Sequence, residues 1–271
     1  MLKRTITGVV LVAVLVIVLL LLPAWCTGVL LSVMVAVAAA ELLKTTCLVD
    51  NPYLLSVAII TAIFVVWWCF FGMVYAWALG VLLVFVVLSF AQLLCTHGKL
   101  PFNQVAVTMV AGLLIPFLLS ALVRIRIMEN GVYFVAMPFV MAFMTDTGAY
   151  LVGCAIGKHK LCPIISPKKT VEGLFGGILG GILGMIVYGV VLHNAFGFQV
   201  NYLYAGLYGA LGAGFATFGD LMFSVIKRQT GIKDYGKLLP GHGGILDRFD
   251  SVTVVAPLAE ILLLILPLAV K

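Results

Sequence analysis

The chain has 271 residues, of which 64% are hydrophobic and only 10% charged, and its mean hydropathy is +1.25. Soluble domains average about 25% charged residues, so this composition excludes a soluble enzyme, a disordered chain and a disulfide-rich secreted scaffold. Its apolar runs are continuous, whereas the strands of a transmembrane β-barrel alternate in polarity. The expected class is therefore an all-α polytopic membrane protein.

A helix needs about 20 mostly apolar residues to cross a bilayer. Nine runs qualify, near 6–22, 28–43, 53–71, 74–94, 103–123, 131–152, 173–193, 201–222 and 251–270. The first two are joined only by Pro23-Ala24-Trp25-Cys26-Thr27. They could form a tight hairpin or one broken element, which would make eight spans. Lys3 and Arg4 precede the first run as they would in a signal peptide, but no small-x-small cleavage site follows and Trp25 precedes Cys26. The first run is expected to be a retained span.

Basic residues set the orientation. With a cytoplasmic N-terminus and nine spans, 13 of the 16 Lys and Arg fall inside, and Arg124, Arg126 and Lys271 fall outside. Two longer loops, 153–172 and 223–250, both lie on the cytoplasmic side in this arrangement. They carry nine of the 16 basic residues. Residues 1–130 read as an N-terminal transmembrane scaffold, and residues 131–271 as the membrane domain that carries the chemistry.

Acids at membrane depth are costly and mark candidate sites. Glu41 closes the second run three residues before Lys44, a spacing that suits a helix-end ion pair. Asp146 lies inside the sixth run, with Tyr150 four residues on and on the same helix face. Asp220, Ser224 and Lys227 share a face at i, i+4 and i+7, Asp247 and Asp250 are three apart, and Glu260 sits in the middle of the ninth run. Hard carboxylate oxygens beside a basic, phosphate-friendly loop suit Mg²⁺, and Asp220, Asp247 and Asp250 are the candidate ligands, for two divalent sites.

Ser166-Pro167 reads as an N-cap and first helical residue, with Lys168 and Lys169 beside it. A helix start there would make an anion site. Leu239-Pro240-Gly241-His242-Gly243-Gly244 cannot be regular helix, and its glycines allow the backbone to approach a ligand closely. His242 within it could bond a phosphate or carry a proton. Gly231 to Lys237 imitates a P-loop, but Leu238 replaces the Ser or Thr that would hold Mg²⁺, and no strand precedes it. Gly173, Gly176, Gly177, Gly180, Gly181 and Gly184 recur every three or four residues, as do Gly206, Gly209 and Gly212. Close internal packing and a homodimer interface both fit such glycines. The six cysteines form no CxxC pair and read as small apolar fillers.

The segment from Ser224 to Asp250, which contains Lys227-Arg228, Lys233-Asp234, Pro240-Gly-His242-Gly243-Gly244 and Asp247-Arg248-Phe-Asp250, resembles the signature of the phosphatidate cytidylyltransferases. Thr145-Asp146-Thr-Gly-Ala-Tyr150, Ser166-Pro-Lys168-Lys169-Thr-Val-Glu172-Gly173 and Gly219-Asp220-Leu221 are similar to that family as well. The resemblance implies transfer of a cytidylyl group from CTP to phosphatidic acid, giving CDP-diacylglycerol and pyrophosphate, with Mg²⁺. It implies catalytic roles for Asp220, Asp247, Asp250, Lys227 and Arg228. Substrate contacts would come from Asp146, Tyr150, Ser166, Lys168, Lys169, Ser224, Lys233, His242, Gly243, Gly244 and Arg248. It further implies a bacterial cell (inner) membrane location, an active site facing the cytoplasm and no nucleic-acid partner. Another CTP-using lipid enzyme, of the polyprenol or phytol kinase kind, is the nearest alternative. An ion-coupled transporter using Asp146, Asp220 and Glu260 is the alternative from another class.

Overall fold

The computed structural model describes residues 2–72, 75–236, 238 and 243–271, with the backbone alone for 2–6 and 75. The chain is an all-α polytopic membrane protein. Among the described residues, seven helices are long and apolar enough to span a bilayer: Ala24–Thr45, Pro52–Phe71, Ala76–Cys95, Phe102–Ile127, Gly131–Ile156, Val171–Phe196 and Tyr202–Gln229. They correspond to the second through eighth runs of the sequence. The first and ninth runs are also helical, as α1 (Leu2–Val16, continued by a π-helical turn Ile17–Leu21) and α12 (Leu246–Ile265). Among the residues described with side chains, Thr7–Leu21 is an apolar helical stretch. In α12 the charges Asp247, Arg248, Asp250 and Glu260 dilute the apolar run.

Contacts divide the chain into two compact units, Met1–Glu129 with Lys227–Phe249, and Asn130–Ile226 with Asp250–Lys271. Residues 227–249 group with the N-terminal helices in this division.

In the first unit, Leu22 is extended and Pro23 precedes α2 (Ala24–Ala40), which ends in a π-helical turn, Glu41–Thr45. A proline has no N–H to continue a helix, so the break falls there. Asn51 caps α3 (Pro52–Phe71), its side chain accepting from the Tyr53 N–H at 2.9 Å, and Gly72 ends the helix in a left-handed conformation. After α4 (Tyr75–Cys95), one apolar segment is built from α5 (Phe102–Met109), a π-helical turn (Val110–Leu114), α6 (Ile115–Leu119) and α7 (Ala121–Ile127). Lipid gives no hydrophobic drive between helices, so close fit and polar ties hold them. Val35, Leu43, Leu54, Val65, Val105 and Leu122 are buried in that fit. Arg126 donates to the carbonyls of Leu19 at 2.9 Å and Leu22 at 3.0 Å, which satisfies free acceptors at the end of the N-terminal helix.

The second unit holds α8 (Gly131–Phe134), α9 (Met137–Ile156), α10 (Val171–Phe196), most of α11 (Tyr202–Gln229) and the greater part of α12. Two short antiparallel ribbons complete it. Strand β1 (Lys160–Cys162) pairs with β2 (Ser166–Thr170), and β3 (Gln199–Val200) pairs with β4 (Ala269–Val270).

Ser166-Pro167 therefore does not start a helix. It opens β2, and Thr170 is the cap of α10, with its hydroxyl accepting from the Gly173 N–H at 3.0 Å. Proline at the second position suits an extended segment as well as a helix start, and cross-strand pairing with β1 decides between them. The glycines of α10 serve packing within the chain. A Cβ on Gly181 would fall 2.6 Å from the Gly209 carbonyl oxygen of α11, and one on Gly180 would fall 2.5 Å from the Met144 carbonyl oxygen of α9. Gly206 faces open space.

This contrast gives a direct check. Gly181→Ala is expected to destabilise the protein by about 1–3 kcal/mol through overpacking. Gly206→Ala should be neutral or stabilising by up to about 1 kcal/mol. Unfolding in detergent micelles measures both, and equal effects at the two positions would contradict the packing described.

Candidate functional site

In the second unit, α9, the β1–β2 ribbon, the start of α10 and one residue of α11 surround a recess of about 200 Å³. It is lined by Asp146, Tyr150, Leu161, Lys168, Lys169 and Thr217, among others. Both lysines line the recess, but they differ in burial. Lys168 is exposed, whereas Lys169 is half-buried and its Nζ lies 2.5 Å from Oδ2 of Asp220. Asp220 also accepts from the Ser224 hydroxyl at 3.3 Å, one helical turn further along α11.

Gly219, just before Asp220, is in close contact. A Cβ there would fall 2.9 Å from the Asp250 carbonyl oxygen, so the missing side chain lets α11 approach the Asp250 turn of α12. Asp250 is half-buried and accepts from the Ser251 N–H at 2.8 Å. The ribbon itself is tied to α10 by Glu172. That carboxylate accepts from the Lys158 N–H at 3.1 Å and the His159 N–H at 3.2 Å, and it meets Nδ1 of His159 at 2.5 Å. Asp146 and Tyr150 are both exposed at the recess, and Ser166 stands half-buried opposite Cys162.

In the first unit, the centre is Asp247. Its side chain is 1% exposed and both oxygens are engaged. Oδ1 accepts from Lys227 Nζ at 2.9 Å, and Oδ2 accepts from the backbone N–H of Tyr235 at 2.7 Å and of Gly244 at 3.0 Å. The Lys227 ammonium also lies 5.4 Å from the centre of the buried Tyr235 ring. One carboxylate thus gathers a helix end, a loop and the start of another helix.

The local sequence makes this possible. Gly231 is left-handed, with its N–H bonded to the Arg228 carbonyl and the Ile232 N–H bonded to the Lys227 carbonyl. This is a Schellman cap, and it ends α11 just after the two basic residues. Gly231 therefore serves as a helix stop within the P-loop imitation. Gly243 has φ +83°, and a Cβ there would fall 2.9 Å from Asp247 Oδ2. Arg228, Lys233 and Arg248 are exposed, while His242 lies outside the described residues.

Among the described residues, no three His, Cys, Asp or Glu side chains are grouped closely enough to hold a metal ion. The donor chemistry of Asp220 and of Asp247, each within its own unit, nevertheless suits a hard cation. Both are hard oxygen donors, each carries a lysine ammonium as its cation, and each carboxylate can accept about four hydrogen bonds or metal contacts.

Two features escaped local sequence reasoning. The expected ion pair of Glu41 with Lys44 does not form among the described residues. Lys44 is exposed, and Glu41 instead accepts from the backbone N–H groups of Ile245 and Leu246 at 3.0 and 2.9 Å. Tyr235, buried against Lys227 and bonded through its N–H to Asp247, carries no periodic signal in the sequence because it is an aromatic residue in a polar loop.

Residues 2–266 match the model of the cytidylyltransferase family. A phosphatidate cytidylyltransferase of Staphylococcus haemolyticus (strain JCSC1435) is 43% identical over 136 residues, which cover 50% of this chain and 51% of that protein. One of Staphylococcus aureus (strain COL) is 45% identical over 137 residues, with the same coverage. The chain spans about half the length of the curated relatives it matches. With the family match running through nearly all its residues, the chain belongs to the cytidylyltransferase family.

Proposed function

We propose that the protein is a phosphatidate cytidylyltransferase. It would use CTP and phosphatidic acid of the bilayer to make CDP-diacylglycerol and pyrophosphate. The observation that carries this reading is the pair of lysine–aspartate contacts, Lys169 with Asp220 and Lys227 with Asp247, in a chain of this family. Its relatives named for that reaction support the choice of substrates.

The reaction joins two anions. A phosphate oxygen of phosphatidic acid attacks the α-phosphorus of CTP. The bond from that phosphorus to the bridging oxygen breaks, and pyrophosphate leaves with the electron pair. The attacking phosphate is already ionised, so no strong base is needed, and the barrier is one of positioning and charge neutralisation. Lys168, Lys169, Lys227 and Arg228 supply positive charge for the triphosphate and the lipid phosphate. Asp146, Tyr150, Ser166, Ser224, Lys233, His242, Gly243, Gly244 and Arg248 complete the proposed substrate contacts. Asp220, Asp247 and Asp250 are the proposed holders of Mg²⁺, which when bound neutralises charge on the reacting phosphates.

Orientation follows the basic residues. The proposal is nine spans, a cytoplasmic N-terminus and a site facing the cytoplasm in the bacterial cell membrane. A homodimer of this chain would use the apolar faces that its helices leave exposed, such as Phe175, Leu179 and Leu183 on α10, since the glycines of that helix are taken up internally.

The purified protein with CTP, phosphatidic acid and Mg²⁺ is expected to release pyrophosphate and form CDP-diacylglycerol, and EDTA should stop it. Absence of both products would overturn the proposal. Asp247→Asn is expected to lower turnover by about a hundredfold or more while the protein still inserts in the membrane. Lys169→Gln should lower kcat/KM for CTP by about tenfold to a hundredfold, the range for a lost hydrogen bond to a charged group. Activity near wild type in either variant would remove that residue from the site. Single cysteines placed in 223–250 should react with membrane-impermeant reagent only from the cytoplasmic side, and labelling from outside would reverse the orientation.

A further inference from the structure

The carboxylate of Glu41 lies at the end of α2, buried with only 7% of the residue exposed. It takes two backbone N–H groups, those of Ile245 and Leu246, from a segment more than 200 residues away. Leu246 is the first residue of α12, and Ile245 just before it accepts from the Arg248 and Phe249 N–H groups. The first N–H groups of a helix have no partner within it, and the helix dipole favours an anion there. Glu41 is thus a capping carboxylate supplied by a distant helix, bonded one and two residues before Asp247.

The fit is close on the loop side. A Cβ on Gly244 would fall 2.5 Å from both Glu41 oxygens, and one on Gly236 would clash with Oε1. Gly244 also gives its own N–H to Asp247 Oδ2. One turn of chain is therefore clamped between two buried carboxylates, Glu41 on one side and Asp247 on the other.

We propose that Glu41 is a positioning residue for the reaction, holding the Gly243–Leu246 turn so that the Asp247 carboxylate is fixed in place. This rests on the reading of Asp247 as a site residue. Glu41 touches no substrate in this proposal and acts only through the turn. Glutamine at this position keeps the size but offers one oxygen where the turn needs two acceptors, and sets an N–H₂ against a backbone N–H. Aspartate keeps the charge but is one methylene too short to meet both donors fully.

The test compares Glu41→Gln, Glu41→Asp, Glu41→Ala, Gly244→Ala and Glu41→Ala/Gly244→Ala with the whole wild-type protein in detergent. It uses CTP and phosphatidic acid as substrates, with amide hydrogen exchange read in parallel. For Glu41→Gln, kcat should fall about tenfold to a hundredfold, as for other partners that orient a site carboxylate, with KM for CTP changed less than about threefold. Exchange of the Ile245 and Leu246 amides should speed up, while exchange in 137–196 stays as in wild type. Glu41→Asp should recover part of both effects. Gly244→Ala should loosen the same amides, and the double variant should be no worse than the poorer single one, because removing the carboxylate makes room for the methyl.

Unchanged amides at 245 and 246, or wild-type kcat in Glu41→Gln, would overturn the inference. So would exchange that rises equally throughout the protein, which marks a merely structural role. The parent reading fails separately. If Asp247→Asn keeps full turnover, Asp247 is not a site residue and Glu41 positions nothing. If Asp247→Asn is inactive and Glu41→Gln is normal, only the role of Glu41 falls.

Discussion

The Asp247 carboxylate is the constraint around which its unit is built. Taking a charge out of water costs several kcal/mol unless it is paired and fully hydrogen-bonded. Asp247 meets that requirement with Lys227 and two backbone N–H groups. Each partner fixes a different piece of chain: the end of α11, the Tyr235 loop and the Gly244 turn. A Schellman cap at Gly231 ends α11 just beyond Lys227. Gly243 must lack a side chain because a Cβ would crowd the carboxylate.

The second unit repeats the chemistry on a different scaffold. A two-stranded ribbon carries Lys168 and Lys169, and the second pairs with Asp220. Glu172 and Thr170 hold the ribbon to the start of α10. The Lys169–Asp220 pair is half-exposed, in contrast with the buried Lys227–Asp247 pair.

Much of this was legible in the sequence because lipid is a severe solvent. Scarce charges have to be paired or used, so Asp220, Asp247 and Lys227 stand out by position, whereas Lys169 stands out only through a helix start at Ser166-Pro167 that does not form. The seven long helices follow from apolar runs bounded by Pro, Gly and Asn. The helix expected at Ser166-Pro167 was not found, since local capping preference cannot see the pairing with β1. Glu41 was read toward Lys44, its neighbour in sequence, when its true partners lie more than 200 residues on. Local periodicity carries no information about such a contact.

The central claim is that the Lys227–Asp247 pair both holds the loop and serves the chemistry, and a double substitution separates the two roles. Removing one partner of a buried pair costs about 3–5 kcal/mol, whereas replacing both with neutral groups is often close to neutral. Stability in detergent and turnover should be measured for Lys227→Met, Asp247→Asn and the two combined. The combined variant is expected to regain most of the stability lost in either single one and none of the turnover. Recovery of turnover together with stability, or losses of stability that simply add, would contradict the dual role.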